Sequence, residues 1–304
     1  MPLDPTAQVI LQGLAAAGGP ALHEQTPTEA RAAFGALASM GGPGADVASA
    51  VDREIAGVPC LVVTPLGDSP TRPVMVWIHG GGWVIGTARE SEATARNLAA
   101  LADCVVVSVD YRLAPEHPAP AAVDDCAAVV DWVLQNADEL GGDAGAVAVG
   151  GDSAGGNLAA LMALRFGRSL AFQALVYPVA DLSLSHPSIE ENAEGYLLTK
   201  AGMEWFVEHY LQGHIDPRDA AVSPLYATTA ELATAAPAYV VTAEFDPLRD
   251  EGEAYAAALT AAGVAVTAER FDGLIHAFYG MTSVFPQAVA AQQRTAELFR
   301  AALA

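Results

Sequence analysis

The sequence predicts an α/β fold with a mostly parallel sheet, on three observations. From about residue 51 short β-branched runs alternate with helical stretches. Gly151-Asp152-Ser153-Ala154-Gly155 stands at a strand-to-helix junction, and His79-Gly80-Gly81-Gly82-Trp83 follows directly on an apolar run. Such alternation is the signature of βαβ units, whose right-handed crossovers put the strand C-terminal ends on one edge, where ligands bind.

In chain order, residues 1–48 are helical in pattern and end in the breaker-rich Met40-Gly41-Gly42-Pro43-Gly44. Strands are expected at 58–64, 74–79, 104–109, 146–149, 174–177, 239–242 and 264–271, and helices at 90–101, 119–135, 154–166, 249–262 and 286–303. Residues 181–226 break this rhythm. Within them Thr199 is a predicted N-cap, and Met203, Phe206, Val207, Tyr210 and Leu211 recur at the spacing of one helix face. Residues 1–48 and 181–226 are read together as a cap over the sheet edge of one domain, formed by 49–180 and 227–304. The alternative is that each packs on the outside of the domain.

With 36 acidic against 14 basic residues the net charge is −22, which disfavours nucleic acid and anionic membranes and suits a small neutral substrate. Salt adaptation and biased codon usage both yield such a composition, and it names no function. The N-terminus lacks a basic region followed by an apolar run, and no apolar stretch approaches the roughly 20 residues of a membrane span, so a cytoplasmic protein is expected. Cys60, Cys104 and Cys126 lie in apolar runs and are expected as buried thiols. No metal-ligand spacing or phosphate-binding glycine motif follows a strand, so neither metal nor cofactor is expected.

The G-x-S-x-G turn forces its serine into a strained conformation at the sheet edge, with a helix N-terminus behind it. Serine needs a base to remove its proton, and the base needs an acid to hold its tautomer. In the order serine, acid, histidine, Ser153 is followed by Asp246 after strand 239–242 and His276 after strand 264–271. Asp250 and Glu244 are the rival acids; Asp246 is preferred because it sits just past the strand end, while Asp250 suits the first turn of the next helix. The amides of Gly81, Gly82 and Ala154 are the expected donors to an oxyanion, and His79 is expected to orient the glycine loop. Trp83, Asp152, Leu198, Phe206 and Leu248 are candidates for the substrate pocket, although core packing accounts equally for the apolar ones.

Taken together, His79 to Trp83, Asp110-Tyr111-Arg112-Leu113-Ala114-Pro115-Glu116, Gly151 to Asn157 and Asp246-Pro247-Leu248 resemble the hormone-sensitive-lipase-like esterases, bacterial family IV. The resemblance implies an α/β-hydrolase fold with an eight-stranded sheet and a helical cap. It also implies hydrolysis of short to medium acyl esters, a homodimer, and a buried ion-pair role for the Asp110 to Glu116 segment. An amidase, deacetylase or acyltransferase would use the same machinery. A small-ligand receptor on this fold is the non-enzymatic alternative, disfavoured by the presence of His276.

Overall fold

A computed structural model describes residues 1–304, the side chains of Ala36 and Leu37 excepted. Its centre is one sheet of eight strands: β1 (Ser49–Ile55), β2 (Val58–Thr64), β3 (Arg72–Ile78), β4 (Val105–Val109), β5 (Gly142–Asp152), β6 (Phe172–Val176), β7 (Ala238–Phe245) and β8 (Val266–Ile275). They lie in the order β1-β2-β4-β3-β5-β6-β7-β8; β1 and β2 pair antiparallel and the strands from β4 to β8 pair parallel. The helices are α1 (Pro5–Ala17), α2 (Pro27–Ala38), α3 (Glu92–Ala102), α4 (Ala121–Asn136), α5 (Ala154–Phe166), α6 (Pro187–Glu191), α7 (Lys200–Leu211), α8 (Thr229–Leu232), α9 (Arg249–Ala261) and α10 (Pro286–Ala302).

The central strands are buried on both faces, which is why β4 reads Val-Val-Val-Ser-Val without polar alternation. Two apolar cores result, one on each side of the sheet. β1 was not among the strands read from the residues: Ser-Ala-Val-Asp-Arg-Glu-Ile is an edge strand, mostly half-buried or exposed, and lacks an apolar run. β8 runs to Ile275, four residues beyond the expected 271, because Phe245 pairs with Ile275 past an irregularity in the ladder.

Register positions the site. Ile78 pairs with Gly151, Asp152 with Val176, and Phe245 with Ile275. The residues one step beyond these strand ends are His79, Ser153, Tyr177, Asp246 and His276, all on one edge. The strand order reverses about β3, the kind of switch point that opens a crevice in an open parallel sheet.

The expected α7 forms with Thr199 as its cap, whose Oγ1 accepts the Gly202 N–H at 3.0 Å. α2 begins with a capping box not foreseen, in which the Thr26 and Glu29 side chains each accept the other's backbone N–H, at 3.3 and 2.8 Å.

Candidate active site

Ser153 stands between the last residue of β5 and the first of α5, at φ 57° and ψ −120°. That strained backbone turns its side chain outward from the sheet edge. The turn survives because α5 starts very close to β3: a Cβ at Gly155 would lie 2.0 Å from the Ile78 carbonyl oxygen, so only glycine fits. The Ser153 N–H donates to the Val176 carbonyl at 2.8 Å, pinning the turn to β6.

His276 follows β8, and its Nε2 lies 3.0 Å from Ser153 Oγ while its Nδ1 lies 2.7 Å from Asp246 Oδ2. With an ionised Asp246 the proton belongs on Nδ1, which donates to the carboxylate and leaves Nε2 to accept the serine hydroxyl. The other Asp246 oxygen accepts the Leu248 N–H at 2.9 Å, and Asn192 from the 181–226 insertion donates to the Asp246 carbonyl at 3.1 Å. Asp246 is 0% exposed. The rival acids are engaged elsewhere: Asp250 accepts from Ser188 N at 2.9 Å and pairs with Arg249, and Glu244 accepts from Gly273 N at 2.6 Å. The Tyr177 ring packs 4.5 Å from the His276 imidazole, a support no sequence signal pointed to.

The glycine loop runs beside the serine. Gly81, Gly82 and Trp83 take φ values of 116°, 56° and 60°. A Cβ on Gly82 would meet the Phe206 ring at 2.1 Å, so α7 is seated directly on this loop. The Gly81 carbonyl accepts from Val84 N and Ile85 N at 3.1 and 2.9 Å, closing a tight turn. Among the described residues the N–H groups of Gly81 and Gly82 have no protein acceptor, whereas the Gly80 N–H donates to Asp152 Oδ1 at 3.2 Å. The Ala154 N–H belongs to the first turn of α5, where no intrahelical acceptor exists.

His79 does orient the loop. Burial pushes its pKa below the usual histidine value, and the neutral ring donates from Nδ1 to the Gly80 carbonyl at 2.7 Å. Its ring stacks on Tyr111 at 4.4 Å, and the Tyr111 hydroxyl donates to the His79 carbonyl at 3.0 Å. Burial lifts the Asp152 carboxyl to about 6, against the opposing pull of nearby His276 and the Gly80 N–H.

Ser153 and His276 face a cavity of about 270 Å³. Of the candidates for the substrate pocket, Asp152, Leu198 and Phe206 line it, and so do Gly81 and Gly82. Trp83 and Leu248 do not, which corrects the expectation for both. The Trp83 indole is fully buried and stacks on Tyr210 at 4.3 Å, and Leu248 lies fully buried in the core at the start of α9. Met203 was legible as a neighbour of Phe206 on the α7 face, but Leu22, Phe34 and Leu197 line the cavity with no sequence signal to place them. Residues of both 1–48 and 181–226 therefore wall the cavity.

A family model described as alpha/beta hydrolase fold matches residues 75–280. The carboxylesterase NlhH of Mycobacterium tuberculosis is 42% identical over 252 residues, covering 81% of this chain and 79% of its own. This chain belongs to the hormone-sensitive-lipase-like family of α/β hydrolases. The carboxylic ester hydrolase LipN of the same organism is 41% identical over 295 residues, covering 92% of this chain and 77% of its own. Among solved structures, an α/β hydrolase enzyme from the metagenome of Lake Arreo superposes with a TM-score of 0.94 at 38% identity, covering 99% of this chain and 98% of that one.

In this hydrolase the Asp110 to Glu116 segment differs from the buried ion-pair element that the resemblance implied. Tyr111 is buried, but Arg112 and Glu116 are 50% and 54% exposed at the side chain, paired with Asp125 and Arg31 at 2.7 and 2.6 Å. Its buried work is done by Tyr111 under the glycine loop. Cys60, Cys104 and Cys126 are buried free thiols, and burial pushes those of Cys60 and Cys104 up to about 12.

Proposed function

We propose that this carboxylic ester hydrolase cleaves esters of short to medium acyl chains through a serine acyl-enzyme, with Ser153, His276 and Asp246 as its catalytic triad. The observation that carries the reading is the unbroken relay from Asp246 Oδ2 to His276 at 2.7 Å and from His276 to Ser153 Oγ at 3.0 Å, opening on one cavity.

Ser153 Oγ attacks the ester carbonyl as His276 Nε2 takes its proton. The Gly81, Gly82 and Ala154 amides receive the negative charge that develops on the carbonyl oxygen, aided by the N-terminus of α5. His276 returns the proton to the leaving alcohol as the carbon–oxygen bond breaks, leaving the acyl group on Ser153. A water, deprotonated by the same histidine, then releases the acid and restores the serine. Asp246 stays ionised throughout and stabilises the imidazolium.

The cavity of about 270 Å³ supports small acyl groups, since it lies at the small end of ligand pockets, roughly 300 Å³ upwards. Asp152, Leu198 and Phe206 are proposed to contact the substrate. Among the described residues no helix is long and apolar enough to cross a membrane. A cytoplasmic location and a homodimer are part of the proposal; the sheet ends in β1 and β8, either of which offers an edge to a second copy. Light scattering on a sizing column reads the oligomer directly.

The test is Ser153→Ala. Hydrolysis of p-nitrophenyl acetate should fall by about four to six orders of magnitude with an unchanged circular dichroism spectrum, and undiminished turnover would rule the mechanism out. Turnover of matched amide and alcohol-acceptor substrates separates the esterase from an amidase or acyltransferase built on the same relay.

A further inference from the structure

The N-terminal segment does more than wall the cavity: one side chain of α2 reaches the backbone of the glycine loop. Arg31 Nε donates to the Val84 carbonyl at 2.8 Å, and Nη2 donates to the Ala114 carbonyl at 2.8 Å. Its remaining donors grip Glu116, Nη1 to Oε1 at 2.8 Å and Nη2 to Oε2 at 2.6 Å. Hydrogen bonds from Arg31 hold the Glu116 carboxyl at about 2, well below the usual carboxylate range.

Both carbonyls belong to the backbone framework of the loop. Val84 N and Ile85 N close the turn onto the Gly81 carbonyl at 3.1 and 2.9 Å, and Ala114 N donates to the Trp83 carbonyl at 2.9 Å. Between these anchors Gly82 and Trp83 take successive positive φ values, 56° and 60°, a conformation that persists only where the surroundings fix it. The arginine fork, planar and with fixed donor directions, is suited to hold two carbonyls and a carboxylate at once; an ammonium is not. On α2, Arg31, Phe34 and Ala38 fall at i, i+3 and i+7, one helix face, and the latter two line the cavity. The same face therefore bounds the substrate space and clamps the loop.

We propose that Arg31 is a positioning residue for the reaction: through the Val84 and Ala114 carbonyls it sets the Gly81 and Gly82 amides, so that the seating of α2 governs stabilisation of the oxyanion. The inference rests on the proposed reading of those amides as oxyanion donors. A cap that only fenced the substrate would act on binding; this one acts on turnover.

The experiment uses the full chain and compares Arg31→Ala, Arg31→Lys and Glu116→Ala with p-nitrophenyl butyrate, together with the rate of labelling by a serine-directed phosphonate. Arg31→Ala is expected to lower kcat by about ten- to hundredfold with KM changed by less than about threefold, since small displacements of positioned groups cost rate in this range. Labelling should slow in parallel. Arg31→Lys should recover little of the loss, and it carries the test if the alanine variant does not fold. Glu116→Ala leaves the two carbonyl contacts in place and should keep kcat within about twofold while lowering the unfolding temperature. Wild-type kcat in Arg31→Ala, a loss confined to KM, full rescue by lysine, or an equal kcat loss in Glu116→Ala would each overturn the proposal. Wild-type protein that resists the phosphonate would instead defeat the functional reading, independently of Arg31.

Discussion

Replacing Asp246 by asparagine changes one atom and should disable the base. Asp246 is fully buried, with Oδ1 on the Leu248 N–H at 2.9 Å and Oδ2 facing His276 Nδ1 at 2.7 Å. The asparagine carbonyl is held on the Leu248 amide, because a flipped side chain would set its NH₂ against that N–H. Its NH₂ is thereby presented to the imidazole. Nδ1 must then accept, the ring proton moves to Nε2, and Nε2 meets the Ser153 hydroxyl as a second donor with no lone pair to take the proton. In a relay of this kind the wrong tautomer costs about 10⁴ in turnover, or about 5.4 kcal/mol on the barrier. Initial rates with p-nitrophenyl acetate across a full concentration range should show kcat down by about that factor and KM within about threefold. A loss of less than about tenfold would refute the reasoning, as would an equal loss in Asp250→Asn.

Gly82→Ala should cut turnover by about a hundredfold or more, since its Cβ would meet the Phe206 ring at 2.1 Å on a backbone of φ 56°, and adding Phe206→Ala should restore part of it; failure of the double variant to exceed the single one would count against that contact. Glu90 and Asp152 line the cavity and no arginine or lysine does, so p-nitrophenyl hydrogen succinate should be turned over less efficiently than p-nitrophenyl butyrate, with Glu90→Gln narrowing the gap; equal kcat/KM values would contradict this. The Asp152 carboxyl is raised in the fold to about 6 from an ordinary 3.8, so the protonated acid is favoured on folding. Its stabilising contribution is full below about 3.8 and is lost as pH rises through about 6. Urea unfolding from pH 4 to 7 should therefore show wild type losing stability relative to Asp152→Asn as pH rises, and parallel profiles would refute the assignment.

The residues that sequence reasoning found were those bound by local constraint. A serine elbow needs glycine where α5 starts beneath β3, a strand buried on both faces needs a β-branched run, and a helix needs its Thr199 cap; each leaves a mark within a few residues. Ser153, Asp246 and His276 each stand one residue past a strand end of the folded sheet, and its register brings them within hydrogen-bond distance, although the strands run three or four residues beyond the ends expected from the apolar runs.

What was illegible depends on packing between distant segments. Trp83 follows the glycines and looks like a pocket residue, yet at φ 60° its indole stacks on Tyr210. Leu248 lies two residues from the acid and turns into the core. Leu22 and Phe34 wall the cavity from a segment more than a hundred residues before Ser153, and nothing in their neighbourhood marks them. β1 escaped because an edge strand need not be apolar. The capping-box pair of α2, Thr26 and Glu29, has a local T-x-x-E spacing, whereas the Arg31 clamp has no such mark, because two of its three acceptors are backbone carbonyls, which carry no side-chain signature.

The most direct test of the account is reaction with a serine-directed phosphonate, read by peptide mass and then by the structure of the adduct. The account predicts one adduct per chain, on Ser153, with the phosphonyl oxygen within hydrogen-bond distance of the Gly81, Gly82 and Ala154 nitrogens. An unmodified Ser153, or a phosphonyl oxygen pointing away from those amides, would contradict it.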